Sequence, residues 1–142
     1  GSAALTLAKA LTVYEAFGEA DVPDDGQRYF VVSPAGWADL LQIDQFSRAE
    51  YIGEGELPYA GGMTAKRWLG FLWFTHSGLS ISSTTRDCHA YHSSSVGLAT
   101  GSDVRTEMNY VPEKVSNLIT SYFSAGAVMI DNDGAIECQI TE

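Results

Sequence analysis

Two periods of hydrophobic and polar positions alternate along the chain. Across residues 3–18, Leu7, Leu11, Tyr14 and Phe17 recur at helical spacing, with Val13 alongside and Lys9 and Glu15 elsewhere on the wheel. That spacing predicts an amphipathic helix with Gly18 as its stop. The segment Asp21-Val22-Pro23-Asp24-Asp25-Gly26 follows. Proline presets φ there, and aspartate and glycine bend the backbone, so it reads as a turn. Tyr29-Phe30-Val31-Val32 is a continuous run of β-branched and aromatic residues, which predicts a strand over 28–32 buried on both faces. Ser33 is placed to cap a helix and Pro34 to occupy its first position. Trp37, Leu40 and Leu41 then lie at i, i+3 and i+4, one apolar face of a helix over 34–41.

Residues 44–67 lose this periodicity. Gly53, Gly55, Pro58, Gly61 and Gly62 punctuate them, and Arg48, Tyr51, Lys66 and Arg67 stand out. A long segment with so little regular structure reads as a loop held by a partner or used in function. Trp68 to Phe74 is strongly apolar and predicts a second buried strand. With 28–32 it would form one sheet, shielded by the helices at 3–18 and 34–41. Residues 79–85 read as an edge strand or an extended connection, Ser94–Ala99 as a short helix, and Val104–Tyr110 as a loosely alternating strand. Residues 113–123 stay open: Val115, Leu118, Ile119 and Tyr122 suit a helix, whereas Val115, Asn117, Ile119, Ser121 and Phe123 suit a half-buried strand. At the end, Ala127–Ile130, Asp131-Asn132-Asp133-Gly134 and Ala135–Ile140 read as a β-hairpin around an Asp-Gly turn. The fold class expected is α+β: a small mixed sheet flanked by helices, ending in a C-terminal β-hairpin.

Composition narrows the function. At 142 residues the chain is long enough for one domain with a real core. Its 18 acidic and 8 basic residues give a net charge of −10. That disfavours specific nucleic-acid binding, which needs a basic face, and an anionic membrane surface. No stretch approaches the roughly 20 apolar residues of a membrane span. Lys9 and Glu15 interrupt the first apolar stretch, so it does not read as a signal peptide. Two cysteines, Cys88 and Cys138, are too few for a disulfide scaffold.

The chemistry-bearing residues form no convincing site. Cys88, His89 and His92 cluster, with His76 upstream, but their spacing does not supply the tetrahedral ligand set of zinc. A Cys88 nucleophile would need a base within hydrogen-bond reach, and His89, its neighbour on a strand, would point the other way. Asp131-Asn132-Asp133-Gly134 resembles part of a calcium loop, but strand-like residues follow it. Gly53-Glu54-Gly55 lacks the Lys-Ser/Thr of a phosphate loop. The reading is therefore no catalytic residues, no metal and no cofactor.

The order of parts does carry a resemblance. Leu7 and Ala10 in a helix, Asp21-Val22-Pro23, Arg28-Tyr29-Phe30-Val31-Val32-Ser33-Pro34, Trp37 with Leu40-Leu41 and Ala49-Glu50-Tyr51-Ile52-Gly53 come first. Gly70-Phe71, Ala90-Tyr91-His92 to Gly97-Leu98-Ala99 and Gly126-Ala127-Val128 follow. Across the whole chain this resembles the C-terminal portion of the major capsid proteins of tailed bacteriophages and prophages. The resemblance implies that residues 1–100 form an axial-domain-like α+β region clustering around local symmetry axes. Residues 101–142 would return as strands towards a peripheral domain, which favours a strand at 113–123. It also implies that the family's N-terminal arm, extended loop and long spine helix have no counterpart in residues 1–142. The function implied is that of a structural, non-enzymatic subunit of an icosahedral shell, enclosing DNA by self-association with other copies. It would reside in the virion, and in the bacterial host cytoplasm before assembly. The isolated chain would be a monomer or small oligomer, without specific nucleic-acid or membrane partners. Arg48, Tyr51, Lys66 and Arg67 would then mark an intersubunit loop, since Arg and Tyr favour interface centres. The competing readings are a small α+β adaptor or binding domain, and an enzyme using Cys88 with His89 or His92.

Overall fold

The computed structural model describes residues 4–47 and 65–142. Helix α1 runs over Leu7–Glu19, capped by Thr6, whose side chain accepts from the Lys9 N–H at 3.4 Å. Strand β1 covers Arg28–Val32 and helix α2 Pro34–Leu41. Ser33 Oγ accepts from the Gly36 N–H at 3.1 Å, and Pro34 opens the helix, so strand and helix join as the sequence predicts. A short helix, α3, spans Asp44–Ser47. The remaining described strands are β2 (Ala65–Trp68), β3 (Phe71–Thr75), β4 (Ile81–Ser82), β5 (Thr85–His92), β6 (Val96–Val111), β7 (Ser116–Met129) and β8 (Ala135–Thr141).

Six strands form one mixed sheet in the order β2-β3-β1-β5-β4, with β8 on the other edge of β5. Strands β1 and β3 are parallel, and every other pair in this sheet is antiparallel. Pairing in register puts Phe30, Val32, Phe71, Trp73, Cys88, Ala90, Cys138 and Ile140 into one core with Ala10, Val13, Phe17, Trp37, Leu40 and Phe46 of the helices. Phe30 lies parallel to Trp73 with ring centroids 4.0 Å apart, and Phe17 meets Phe71 edge-on at 5.1 Å, the latter a favoured aromatic geometry. Arg28 is buried beneath them. Its guanidinium donates to the Val22 carbonyl, and its Nε to Pro23 O at 3.0 Å, fixing the entry turn.

Several expectations change. Both helices contribute to the same core, on one face of the sheet. By strand alternation, the opposite face carries the buried Val31 and the half-buried Tyr29, Leu72, Phe74 and Tyr91, and among the described residues neither helix adds a core residue on that side. The run Trp68–Phe74 is two strands, because Leu69 (φ 49°) and Gly70 (φ 75°) make the positive-φ pair of a tight hairpin turn. Residues 44–47 and 65–67, expected in a loop, form α3 and most of β2. Ser94–Ala99 is not a helix: Ser93–Ser95 make a single 3₁₀ turn and Val96 begins β6. Residues 116–123 belong to strand β7.

The C-terminal hairpin is also corrected. Asp131–Gly134 does turn, with Asp131 Oδ1 accepting from the Asp133 N–H at 3.1 Å, but the flanking strands part company. β7 pairs with β6 in a separate two-stranded sheet, and β8 pairs with β5. Cys138 and Ile140 of β8 complete the core above α1, and that long-range burial outweighs the local preference for pairing across the turn. The 100/101 boundary falls inside β6, and residues 135–141 rejoin the first sheet. The structural units are thus a sheet-and-helix body and a ribbon formed by 96–129.

Candidate assembly interface

The ribbon is built from unusually long strands. β6 has 16 residues and β7 has 14, against a usual strand of about 5–6. They join through a 3₁₀ turn at Pro112–Lys114, where proline presets the turn and Val115 adopts φ 47°. Met108 sits opposite Ile119, Tyr110 opposite Asn117, Thr106 opposite Ser121 and Glu107 opposite Thr120. Opposed residues share a face and neighbours along a strand alternate. One face therefore carries Val104, Met108, Tyr110, Ile119 and Phe123, interspersed with Thr106, Asn117 and Ser121, and holds no charge. The other carries the charged residues Arg105 and Glu107 with Asn109, Thr120, Val111, Leu118 and Tyr122. Two side-chain bonds agree with this division: Thr106 with Ser121 at 3.0 Å on the first face, and Tyr122 Oη donating to Glu107 at 3.1 Å on the second.

Nothing among the described residues covers the uncharged face. Its five large side chains are each 60–69% exposed, and every residue of β7 is exposed. A lone two-stranded ribbon is marginally stable in water, and a contiguous exposed apolar patch marks a surface meant for contact. Both long edges of the ribbon also present unpaired backbone groups.

The ribbon leaves the body at a hydrogen-bonded root. His92 Nε2 lies 3.0 Å from Asp25 Oδ1, and its Nδ1 accepts from the Ser94 N–H at 3.2 Å. Because Nδ1 accepts, the neutral ring carries its proton on Nε2 and donates it to Asp25. The His92 hydrogen bond, with a second from the Gln27 N–H at 2.9 Å, holds the Asp25 carboxyl below its ordinary value. Ser93 bonds Gln27 through both backbone, at 3.1 Å, and side chain, at 2.6 Å. Ser95 O accepts from the Ile130 N–H at 2.8 Å, tying the departing strand to the returning one.

The residues singled out earlier fall elsewhere. Arg48 and Tyr51 lie outside the described residues. Lys66 is buried in β2. Its ammonium donates to the Phe46 carbonyl and sits 4.5 Å from the Phe46 ring centre, with desolvation lowering its pKa. Arg67 is exposed and donates to Gly26 O at 2.9 Å. Cys88 sits in the core opposite Cys138, both as free thiols, and burial pushes Cys88 up to about 11. His89 lies on the other face of β5, and the ring of His92 is engaged with Asp25 and Ser94. Neither histidine therefore stands ready as a base beside Cys88. Among the described residues no group of three or more His, Cys, Asp or Glu side chains is arranged to hold a metal ion. The ribbon face is the surface that sequence reasoning missed. Its signal was present in the alternations Val104-Thr106-Met108-Tyr110 and Asn117-Ile119-Ser121-Phe123 either side of Pro112.

Comparison with known proteins agrees with this architecture. A solved structure from Mycobacterium phage Che8 superposes with a TM-score of 0.75 at 18% identity, covering 96% of this chain and 50% of that one. A second, the capsid structure of the cyanophage P-SCSP1u, gives 0.67 at 20% identity, covering 92% of this chain and 45% of that one. The chain thus spans half, or slightly less, of the length of these structures. No curated protein matches the sequence. The family model described as phage capsid protein matches residues 1–142 from end to end, and this chain belongs to that family.

Proposed function

We propose that this chain is a structural subunit of an icosahedral phage or prophage shell, which works by self-association with other copies of capsid polypeptide and encloses DNA without enzymatic activity. The body formed by the six-stranded sheet and its helices would be the axial region, and the ribbon of 96–129 would reach towards the peripheral region. The observation that carries the reading is the uncharged apolar face of the ribbon, exposed along its length in a family of shell proteins. Burying large apolar side chains stabilises by about 1.5–3 kcal/mol each when complete, so five of them suit a permanent contact. A net charge of −10 is compatible with a shell lining that holds no phosphate tightly. Arg67, exposed on β2, is a candidate polar contact at the margin of the assembly. The subunit would gather in the bacterial cytoplasm and end in the virion. Peptide mapping by mass spectrometry of purified particles tests this reading. Residues 1–142 should be recovered in the shell at the stoichiometry of its major component. Recovery only from the particle-free fraction would favour an adaptor domain instead.

A further inference from the structure

Cys88 and Cys138 are register partners on β5 and β8, and both thiols are free. Two backbone bonds fix what kind of pair they make. The His92 N–H donates to Gly134 O at 2.9 Å, and the Glu142 N–H donates to Thr84 O at 2.9 Å. Hydrogen-bonded pairs alternate along an antiparallel ladder, and Cys88 lies an even number of residues from both bonds, so it forms a hydrogen-bonded pair with Cys138. The Cα atoms of such a pair stand about 5.5 Å apart, a usual separation across a disulfide. Their Cβ atoms stand near about 5.5 Å, wider than the roughly 3.5–4.5 Å of a disulfide. A bond between the two sulfurs must therefore draw β8 towards β5. β8 is placed to follow, because no described strand holds its other edge. The two thiols differ in access. Cys88 is fully buried, whereas Cys138 borders a groove of about 660 Å³ between α1 and β8, where Ala8, Thr12 and Ala16 leave room for a small molecule. Burial raises the pKa of both thiols, and at Cys138 the charge of Lys9 works against it.

We propose that Cys138 is a modification site for low-molecular-weight disulfides, and that Cys88 resolves the adduct to leave a reversible Cys88–Cys138 cross-link. In the first step Cys138 loses its proton, and its thiolate attacks one sulfur of the small disulfide from the groove. The reagent's S–S bond breaks, and its other half leaves as a thiolate that takes up a proton. In the second step Cys88 loses its proton and attacks Cys138 Sγ. The mixed disulfide breaks, and the second half of the reagent leaves and is protonated in the same way. Two protein thiols are thereby oxidised by two electrons, and the reagent is reduced to two small thiols. The new bond ties β5 to β8 at the base of the ribbon and encloses residues 89–137 in a covalent loop. Because closure strains the pair, the bond is among the readily reduced ones. It stays open in a glutathione-reduced compartment and closes in an oxidising one. The chemistry is complete within one chain and independent of assembly.

Mass spectrometry of the whole chain tests this. The reduced, folded chain is incubated with bis(2-hydroxyethyl) disulfide, a small neutral reagent, until no further change occurs. It is then quenched in acid, its remaining thiols are alkylated in denaturant, and its peptides are mapped without reduction. The parent should lose the mass of a pair of hydrogens and yield a peptide of β5 joined to one of β8 through Cys88 and Cys138. Excess reduced glutathione should return both thiols. Cys88→Ala should stop with one hydroxyethylthio adduct on Cys138, and Cys138→Ala should leave Cys88 unmodified, because Cys88 is reached only through its partner. The parent reaction decides the matter even if a variant does not fold. Two free thiols in the treated parent, a lasting adduct on Cys138 beside a free Cys88, or a cross-link that survives excess glutathione would each overturn the assignment.

Discussion

Gly134→Ala tests whether the root of the ribbon is as tightly closed as the structure indicates. A Cβ at Gly134 would lie 1.8 Å from Ser95 Oγ and 2.9 Å from Ser95 Cβ. Rotating the hydroxyl relieves the first contact and leaves the second shorter than carbon atoms tolerate. Neither backbone is free to retreat. Gly134 O accepts from His92, Ser95 O accepts from Ile130 and Asp131, and Ser95 is 1% exposed. Overpacking of this kind costs about 1–3 kcal/mol. For a chain of this length that is a fall in melting temperature of roughly 4–12 °C. Thermal unfolding followed by far-UV circular dichroism measures it. Ser95→Gly deletes both clashing atoms, so the double variant should melt close to Ser95→Gly alone, a coupling that independent sites do not show. Gly134→Ala melting within about one degree of the parent, or strictly additive effects in the double variant, would refute the close approach of the two segments.

Phe30→Ala, which removes the ring stacked on Trp73 in the middle of the core, should cost about 3–5 kcal/mol, read as a lower denaturant midpoint at unchanged slope. Asp25 contributes stability through a carboxyl held below its ordinary value of 3.8 by His92 and the Gln27 amide. A depressed folded-state value stabilises above the unfolded value and is lost as pH falls through the folded one. The gap in melting temperature between the parent and Asp25→Ala should therefore be full at neutral pH and shrink progressively below pH 3.8. The Cys88 thiol, pushed up to about 11 by burial, should react with thiol reagents at neutral pH far more slowly in the native chain than in denaturant; equal rates would place it at the surface.

Where local chemistry decided the outcome, the sequence was enough. Ser33-Pro34 stops β1 and starts α2 through a cap and a fixed φ, both properties of the residues themselves. Leu69-Gly70 was less plain, because the apolar run continues through the turn and only the glycine signals it. Asp131–Gly134 shows a different limit. The turn chemistry was legible, but a turn does not name the partners of the strands it joins, and the fit of Cys138 and Ile140 beside Cys88 and α1 decided those. Ser94–Ala99 failed for the same reason, since pairing of Val96 with Met129 overrode a weak local pattern. The exposed ribbon face escaped because alternation tells which residues share a face and not what covers it. Val104–Tyr110 read as a loosely alternating strand and 113–123 as a helix or half-buried strand, whereas Val104, Met108 and Ile119 stand exposed. The loop at 44–67 drew attention instead through its glycines and cations, and Lys66 turned out to be buried under Phe46.

Assembly of a single-charge variant tests the central claim most directly. Ile119 is 61% exposed and lies opposite Met108 in the middle of the uncharged face. In the isolated chain Ile119→Lys should change stability by no more than about 0.5 kcal/mol, as exposed substitutions do. In an assembly that buries this face it would place an unpaired ammonium in an apolar contact, at a cost of several kcal/mol per subunit. Thr120→Lys, the adjacent residue on the face that already carries Arg105 and Glu107, serves as the control. Electron microscopy and sedimentation of particles formed in cells should show normal shells with Thr120→Lys and unassembled subunits with Ile119→Lys. Normal shells at undiminished yield from Ile119→Lys would contradict the assignment of this face to assembly.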